Sequence, residues 1–384
     1  MLRHASITSI YAADTSGVAS ALFELGGLTV IHDPSGCNST YTTHDEPRWA
    51  DFDSMFYVSG LTEKDAIMGN DEKVISDLAY TAERLNPEFI AICGSPMPMM
   101  VGTDFDALAY ETEKRTGIKT FAFHTNGMND YISGEEEAFY ELVKYYSIEK
   151  HSEESGDFLV NVIGATPIDM TDYSHIKSIS DFLEKHKMKL NSCLSMGCKI
   201  PDIEKIPDAD ANLAVSYSGI KACEYLNKKF GQNYAAGLPF GEKFSEKLAD
   251  ALKSGKNINL FNRDFGSGFP DIVIEGESVF SLSLSSALYD DFNIGSSVIC
   301  PLKTDKNFLG KNDFSVSDEN EEKKIYKNFK TAVADNLYKP IIPKNCRFVS
   351  LPSVGFSGRC FLGQIPDLSR KSDFQNLVKK IISK

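Results

Sequence analysis

What the 384-residue chain lacks narrows its chemistry first. No Gly-x-x-x-x-Gly-Lys-Ser/Thr loop occurs in it, so nucleotide hydrolysis by this chain itself is not expected. No Gly-x-Gly-x-x-Gly follows a strand-like run either. The segment "GSGFPD" at 266–271 lacks the third glycine and the helix that should follow, which leaves a dinucleotide role without its fingerprint. Apolar runs are no longer than a strand, and no basic, apolar leader opens the sequence, so neither a membrane span nor a secretory signal is expected and the chain is placed in the cytoplasm. The eight cysteines show no framework spacing, and in that compartment they read as free thiols or ligands rather than disulfides. A formal net charge of -14, without a basic stripe interleaved with aromatics, opposes a phosphate backbone and argues against nucleic acid as a partner.

What is present is a 42% apolar chain long enough for two or three ordinary cores. Strand and helix patterns alternate, the signature of parallel sheets covered by helices on both faces. Val74, Ile75, Leu78, Ala82 and Leu85 recur at helical spacing and predict a helix over Asp71–Asn86, stopped by Pro87. The strand Phe89–Cys93 follows, then a loop "GSPMPMMVG", then a helix opening near Thr103 and Asp104. A second unit is read from "FLVNVIG" (158–164), a helix near Ser174–Lys187, "ANLAVS" (211–216) and a helix through Tyr225. A third starts at "DIVIEGE" (271–277), with a helix around Val279–Asp290 and "SSVICPL" after it. The charged run "SDENEEKK" (317–324) is read as a solvated face. The expected fold is α/β, with three Rossmann-like domains of mainly parallel sheet at 1–152, 153–264 and 265–384.

Two cysteines of the first domain draw attention. Cys37 follows the strand-like run Leu28–Ile31 through the turn "HDPSGC", and Cys93 closes the strand Phe89–Cys93. Ligands of open α/β sheets bind at the carboxyl ends of strands. A thiolate held there, among loop amides that donate to sulfur, is what an iron-sulfur cluster requires. The alternative for each cysteine is a small buried hydrophobe.

Several ordered motifs resemble those of the nitrogenase component 1 family. "HDPSGC" resembles its His-Gly-Pro-x-Gly-Cys cluster loop, and "LTEKDAIMGNDEKV" (61–74) its Thr-Glu-x-Asp stretch. Cys93 with "VGTDFDAL" (101–108) resembles the second cluster loop, and "GIKTFAFHTNGM" (117–128) the strand and turn that follow. In the second domain "VNVIG", "DADANLAVSYS" and "FGQNYAAGLPFG" keep the family's order. The resemblance spans roughly Tyr11 to Gly241 and implies a nitrogenase-like oxidoreductase fold.

The resemblance implies a catalytic component that takes electrons from a separate ATP-dependent P-loop iron-sulfur reductase, passes them through a cluster held by Cys37 and Cys93, and reduces a small or tetrapyrrole-like substrate. Family chains usually carry an earlier cluster cysteine four residues before a glycine. Here the glycine is Gly17 and the cysteine position is Ala13, so one ligand is missing. Two thiolates per chain suggest a [4Fe-4S] cluster shared across a homodimer, with a heterodimer, or a carboxylate such as Asp14 or Asp33 in place of a thiolate, as the rival arrangements. The cysteine and histidine that hold the iron-molybdenum cofactor in nitrogenase have no counterpart. Ser216 takes the first position, and the last histidine of the chain is His186. No molybdenum cofactor is expected, and the cleft near Ser216 is expected to be open to an organic substrate. A non-catalytic scaffold for metallocluster assembly or carriage is the alternative function, and a metal-free binding protein a third.

After Cys37 the run "NSTYTTHDEPRW" offers His44 and Asp45 as proton donors, or else a solvated loop whose charges pair locally. "PMPMM" reads as adaptable packing near an interface or a substrate surface. Cys193 and Cys198, five apart, are either a redox pair or loop residues, and Cys223, Cys300, Cys346 and Cys360 are read as structural.

Overall fold

The computed structural model describes residues 7, 13–34, 46–49, 51–150, 156–255, 260–263 and 268–383. Strands and helices alternate along it, and every strand pairing among the described residues is parallel. The first stretch runs α1 (Asp14–Leu22), β1 (Leu28–Ile31), β2 (Phe56–Val58), α2 (Glu63–Met68), α3 (Asp71–Leu85), β3 (Ile90–Cys93), α4 (Pro96–Val101), α5 (Phe105–Thr116), β4 (Thr120–Phe123) and α6 (Tyr131–Tyr146), with sheet order β2-β1-β3-β4. The second runs β5 (Phe158–Ala165), α7 (Pro167–Met170), α8 (Tyr173–Lys185), β6 (Met188–Ser195), α9 (Ile200–Glu204), β7 (Ala211–Ala214), α10 (Ile220–Phe230), β8 (Asn233–Ala236) and α11 (Lys243–Ser254), in the order β6-β5-β7-β8. The third runs β9 (Ile272–Glu275), α12 (Ser278–Phe292), β10 (Ser296–Cys300), β11 (Phe314–Ser315), α13 (Glu319–Ile325), β12 (Thr331–Ala334), β13 (Arg347–Ser350), α14 (Val354–Ser357) and α15 (Lys371–Ile382), in the order β11-β10-β9-β12-β13. Each sheet therefore draws its strands from one contiguous stretch of chain.

Period-two alternation decides which way the first sheet's side chains point. Ile90 and Ile92 pack with Leu78, Ala82 and Leu108 of α3 and α5, whereas Ala91 and Cys93 join the core that includes α1 and α6. The helices end for local reasons. Asn86 closes α3 in the left-handed conformation, its amide bonding to the Ala82 carbonyl. Asp104 caps α5 by accepting from the Ala107 amide at 2.9 Å.

Two readings of the sequence are corrected. The "GSPMPMMVG" stretch is not all loop. Pro96 sits where a proline's missing N–H costs nothing, Gly102 ends the turn in the left-handed region, and α4 forms between them. The charged run 317–324 is solvated only in part. Its helix α13 turns Glu322 inward, where it is 5% exposed.

Helices α1 and α6 touch backbone to backbone. A Cβ on Gly17 would lie 2.0 Å from the Tyr131 carbonyl oxygen, and one on Gly134 would lie 1.9 Å from that of Asp14. Among the described residues no helix is long and apolar enough to cross a membrane.

Candidate functional site

The carboxyl edge of the first sheet gathers the residues around Cys93. β1 and β3 pair so that Ile31 lies opposite Cys93, and the next amide, His32, donates to the Cys93 carbonyl at 2.9 Å. The two strand exits are then tied together. The Ser95 hydroxyl donates to the His32 carbonyl at 2.9 Å and to the Asp33 carboxylate, and the His32 ring bonds the Ser59 hydroxyl through Nδ1 at 2.8 Å. Burial lowers the His32 pKa, so the ring is neutral at physiological pH. Gly94 has no room for a side chain, because a Cβ would meet the Thr125 carbonyl oxygen at 2.2 Å. Its own carbonyl accepts from the Thr125 hydroxyl at 2.7 Å.

Cys93 itself is fully buried. Burial pushes its thiol well above the ordinary range, and the carboxylates of Glu137 and Asp14 add to the shift. A strand-end thiol beside a glycine that admits close backbone approach fits one ligand of an iron-sulfur cluster, and in this state it is protonated. The carboxylates weighed as thiolate substitutes are engaged otherwise. Asp14 accepts from the amides of Thr15 at 2.7 Å, Asn126 at 3.0 Å and Gly127 at 2.8 Å, clamping the turn before α6 to the start of α1. Asp33 takes the Ser95 hydroxyl. Ala13 stands at the N-cap of α1 with no side-chain cap. Among the described residues no group of three or more His, Cys, Asp or Glu side chains is placed to hold a metal ion, so a cluster at Cys93 would need donors from elsewhere.

Cys37, His44 and Asp45 lie outside the described residues. The chain leading to Cys37 is described as far as Pro34, two residues past the His32 amide bonded to Cys93, and resumes at Glu46. There the expected local charge pairing is seen, but buried rather than solvated. Arg48 is 4% exposed, its Nη1 lies 2.7 Å from Glu24 and its Nε 2.8 Å from Glu46, and its Nη2 donates to the Ser20 carbonyl. Around the edge α4, α2 and the 126–129 turn expose Met97, Met99, Met100, Ile67, Met68 and Met128. Gly127 of that turn abuts Pro96 of α4.

A second constellation was not foreseen from the sequence. Where the three stretches meet, Tyr131 of α6 donates to Asp169 of α7 at 2.7 Å, and Thr166 donates to Glu135 of α6 at 2.7 Å. Glu277, at the start of α12, accepts from the Tyr217 amide at 2.9 Å and the Phe280 amide at 2.8 Å. Burial raises the pKa of all three carboxyls, that of Asp169 to about 6 and that of Glu277 to about 7. A signal existed for Glu135. It shares a helical face with Tyr131, Ala138, Phe139 and Leu142, an acid at a core position. Ser216 is fully buried beside this cluster, accepting from the Ser218 hydroxyl at 3.2 Å, so its own side chain does not open onto a cleft. His186 lies instead at the end of α8, lining a surface groove of about 890 Å³. Cys193 and Cys198 are buried free thiols. Burial pushes Cys198 up to about 12 and raises Cys193 as well, which leaves neither reactive, and Cys360 is exposed rather than packed.

The model of the family described as nitrogenase component 1 type oxidoreductase matches residues 16–258. The chain belongs to this family. Its curated relatives include a chain of the light-independent protochlorophyllide reductase of Heliobacterium modesticaldum, 21% identical over 53% of this chain and 39% of that one. The nitrogenase molybdenum-iron protein beta chain of Nostoc sp. is 21% identical over 61% of this chain and 49% of that one. The chain spans less than half the length of these relatives. The solved structure titled "Nitrogenase Cp1 at pH 6.5" shares the fold of this component 1 protein, with a TM-score of 0.66 at 17% identity, covering 100% of this chain and 95% of that one.

Proposed function

We propose that the protein is the catalytic component of a nitrogenase-like, ATP-dependent reductase, and that Cys37 and Cys93 hold a [4Fe-4S] cluster at the interface between two copies of the chain. The observation that carries this reading is the pairing of β1 with β3, which sets the strand exit leading to Cys37 against Cys93. Only three peptide units separate Pro34 from Cys37, a reach of at most about 11 Å. Asp14 and Asp33 are occupied by structural bonds, which favours thiolates from a second chain over carboxylates from the same one. The methionine-rich apolar rim around that edge suits burial against a second copy. Two chains then supply two thiolates each to one cluster on the dimer axis. A heterodimer with a related chain is the variant of this arrangement.

Electrons would arrive from a separate P-loop iron-sulfur reductase, since this chain has no nucleotide loop of its own. His44 and Asp45, next along the chain from Cys37, are the proposed proton donors at that edge. We keep the division at 152/153 and 264/265 as the domain boundaries and a cytoplasmic location as part of the same reading. One observation favours the second reading, a scaffold that carries a metallocluster without turnover. Ser216 itself is fully buried, so its side chain offers an organic substrate no open wall there.

Anaerobic purification with iron and sulfide analysis is the test. About four irons per two chains are expected, with loss of iron and of the dimer in Cys37→Ala and Cys93→Ala. A stable iron-loaded monomer would overturn the shared-cluster arrangement. Reduction that requires a P-loop iron-sulfur partner and ATP supports the catalytic component, and iron-loaded protein without such turnover supports the scaffold.

A further inference from the structure

The charged helix α13 sends Glu322 into the third sheet's core, toward Glu275 at the end of β9, which is 4% exposed. Among the described residues no donor reaches either oxygen of Glu275 or Oε2 of Glu322, and the two buried carboxyls face each other. Carboxylates only accept, so this pair can bond only if one of them holds a proton. Past Glu275 lies a cavity of about 40 Å³ that is also lined by Asp169, Glu277 and His175. That is space enough for water. On its other side Asp169 keeps Oδ2 without a donor, and its neighbour Glu135 keeps Oε2 without one.

We propose that Glu322, Glu275, Asp169 and Glu135, with water in the intervening cavity, form a proton-transfer chain from the surface helix α13 to the point where the three sheets' segments meet. Each step breaks an O–H bond on one carboxyl or water and forms one on the next, and Glu322 regains its proton from solvent. No electron moves along it.

The surroundings suit carboxyls that hold protons. Among the described residues no lysine or arginine lines the cavity, and the imidazole that does, His175, lies beside Asp172. Glu322 faces Glu319, Asp318 and Glu321 of its own helix, and Tyr338 faces the pair beside Asp335. Glu277 faces Asp169 and Glu135 from α12. Burial raises Glu322 to about 7 and Glu275 and Glu135 well above the usual carboxyl range, so members of the chain are protonated at neutral pH. The use of those protons in a reduction rests on the proposed function, but the chain itself does not.

Infrared spectroscopy of the purified full-length chain tests it through the carbonyl stretch of protonated carboxyls. A protonated-carboxyl band is expected at neutral pH that shifts on transfer to D2O. Glu275→Gln should remove part of it, and Glu322→Gln, at the outer end, should slow its deuterium shift severalfold. Glu321→Gln, on the exposed side of the same helix, should leave the shift unchanged. No protonated-carboxyl band, or the same exchange rate in Glu322→Gln as in wild type, would overturn the proposal. Thermal melts identify any variant that does not fold, and Glu322→Gln carries the test if Glu275→Gln fails. The expected band and kinetics in protein that reduces nothing would keep the proton chain and remove the reductase reading.

Discussion

The His32 amide and the Cys93 carbonyl meet at 2.9 Å, so the exit of β1 and the buried thiol belong to one hydrogen-bond ladder. The backbone at this edge is fixed before any metal arrives. If the proposed cluster binds here, what changes is the state of the thiol.

Cys93 must lose a proton to bind iron, and its burial together with Glu137 and Asp14 holds that proton on. Metal affinity therefore rises with pH for as long as the thiol is the protonated form. Anaerobic reconstitution at a series of pH values should give more iron per chain toward alkaline pH. Glu137→Gln removes one of the opposing charges and should shift that loading curve to lower pH. A loading curve that Glu137→Gln leaves in place would mean that Cys93 does not limit assembly.

Arg48 compensates two buried carboxylates at once and bonds the end of α1 through Ser20. Arg48→Ala leaves Glu24 and Glu46 buried without their cation and should cost about 3–5 kcal/mol of stability. Lysine should not rescue it, because one ammonium cannot reproduce a planar fork reaching three partners. Denaturant unfolding of the three proteins measures both statements.

The α1–α6 seam predicts a third outcome. Gly134→Ala places a methyl 1.9 Å from the Asp14 carbonyl oxygen, so the helices must part. Destabilisation of about 1–3 kcal/mol, the range for overpacking, is expected. Gly363→Ala is the control, since a Cβ there meets no atom within 4 Å. Equal melting temperatures for the two variants would show that the seam yields freely.

Much of the architecture was legible because the elements announce themselves. Leu28–Ile31 is a run of strand-forming residues, apolar but for Thr29, and the Asp71–Leu85 helix carries its period and its stop. Cys93 was found for a similar reason, as the last residue of such a run. α4 was hidden by prolines that usually mean loop, and only the position of Pro96 at the helix start makes them compatible with a turn of helix. The acid junction was illegible for a different reason. Glu135 and Glu322 each sit in a run of charged residues, where one inward side chain is masked by its solvated neighbours, and their partners come from segments distant in sequence. Periodicity describes single elements, whereas that cluster exists only once three of them have been packed.

The glycine contact between α1 and α6 leaves no layer of side chains to absorb displacement. α6 leaves the turn gripped by Asp14 and, one helical turn on, places Glu135 in the acid junction. The thiol edge and the acid junction are therefore two ends of one stiff strut. The amides of α1 and α6 are therefore expected to open to solvent exchange as a single cooperative unit, so that a change beside Cys93 should reach Glu135 through backbone alone.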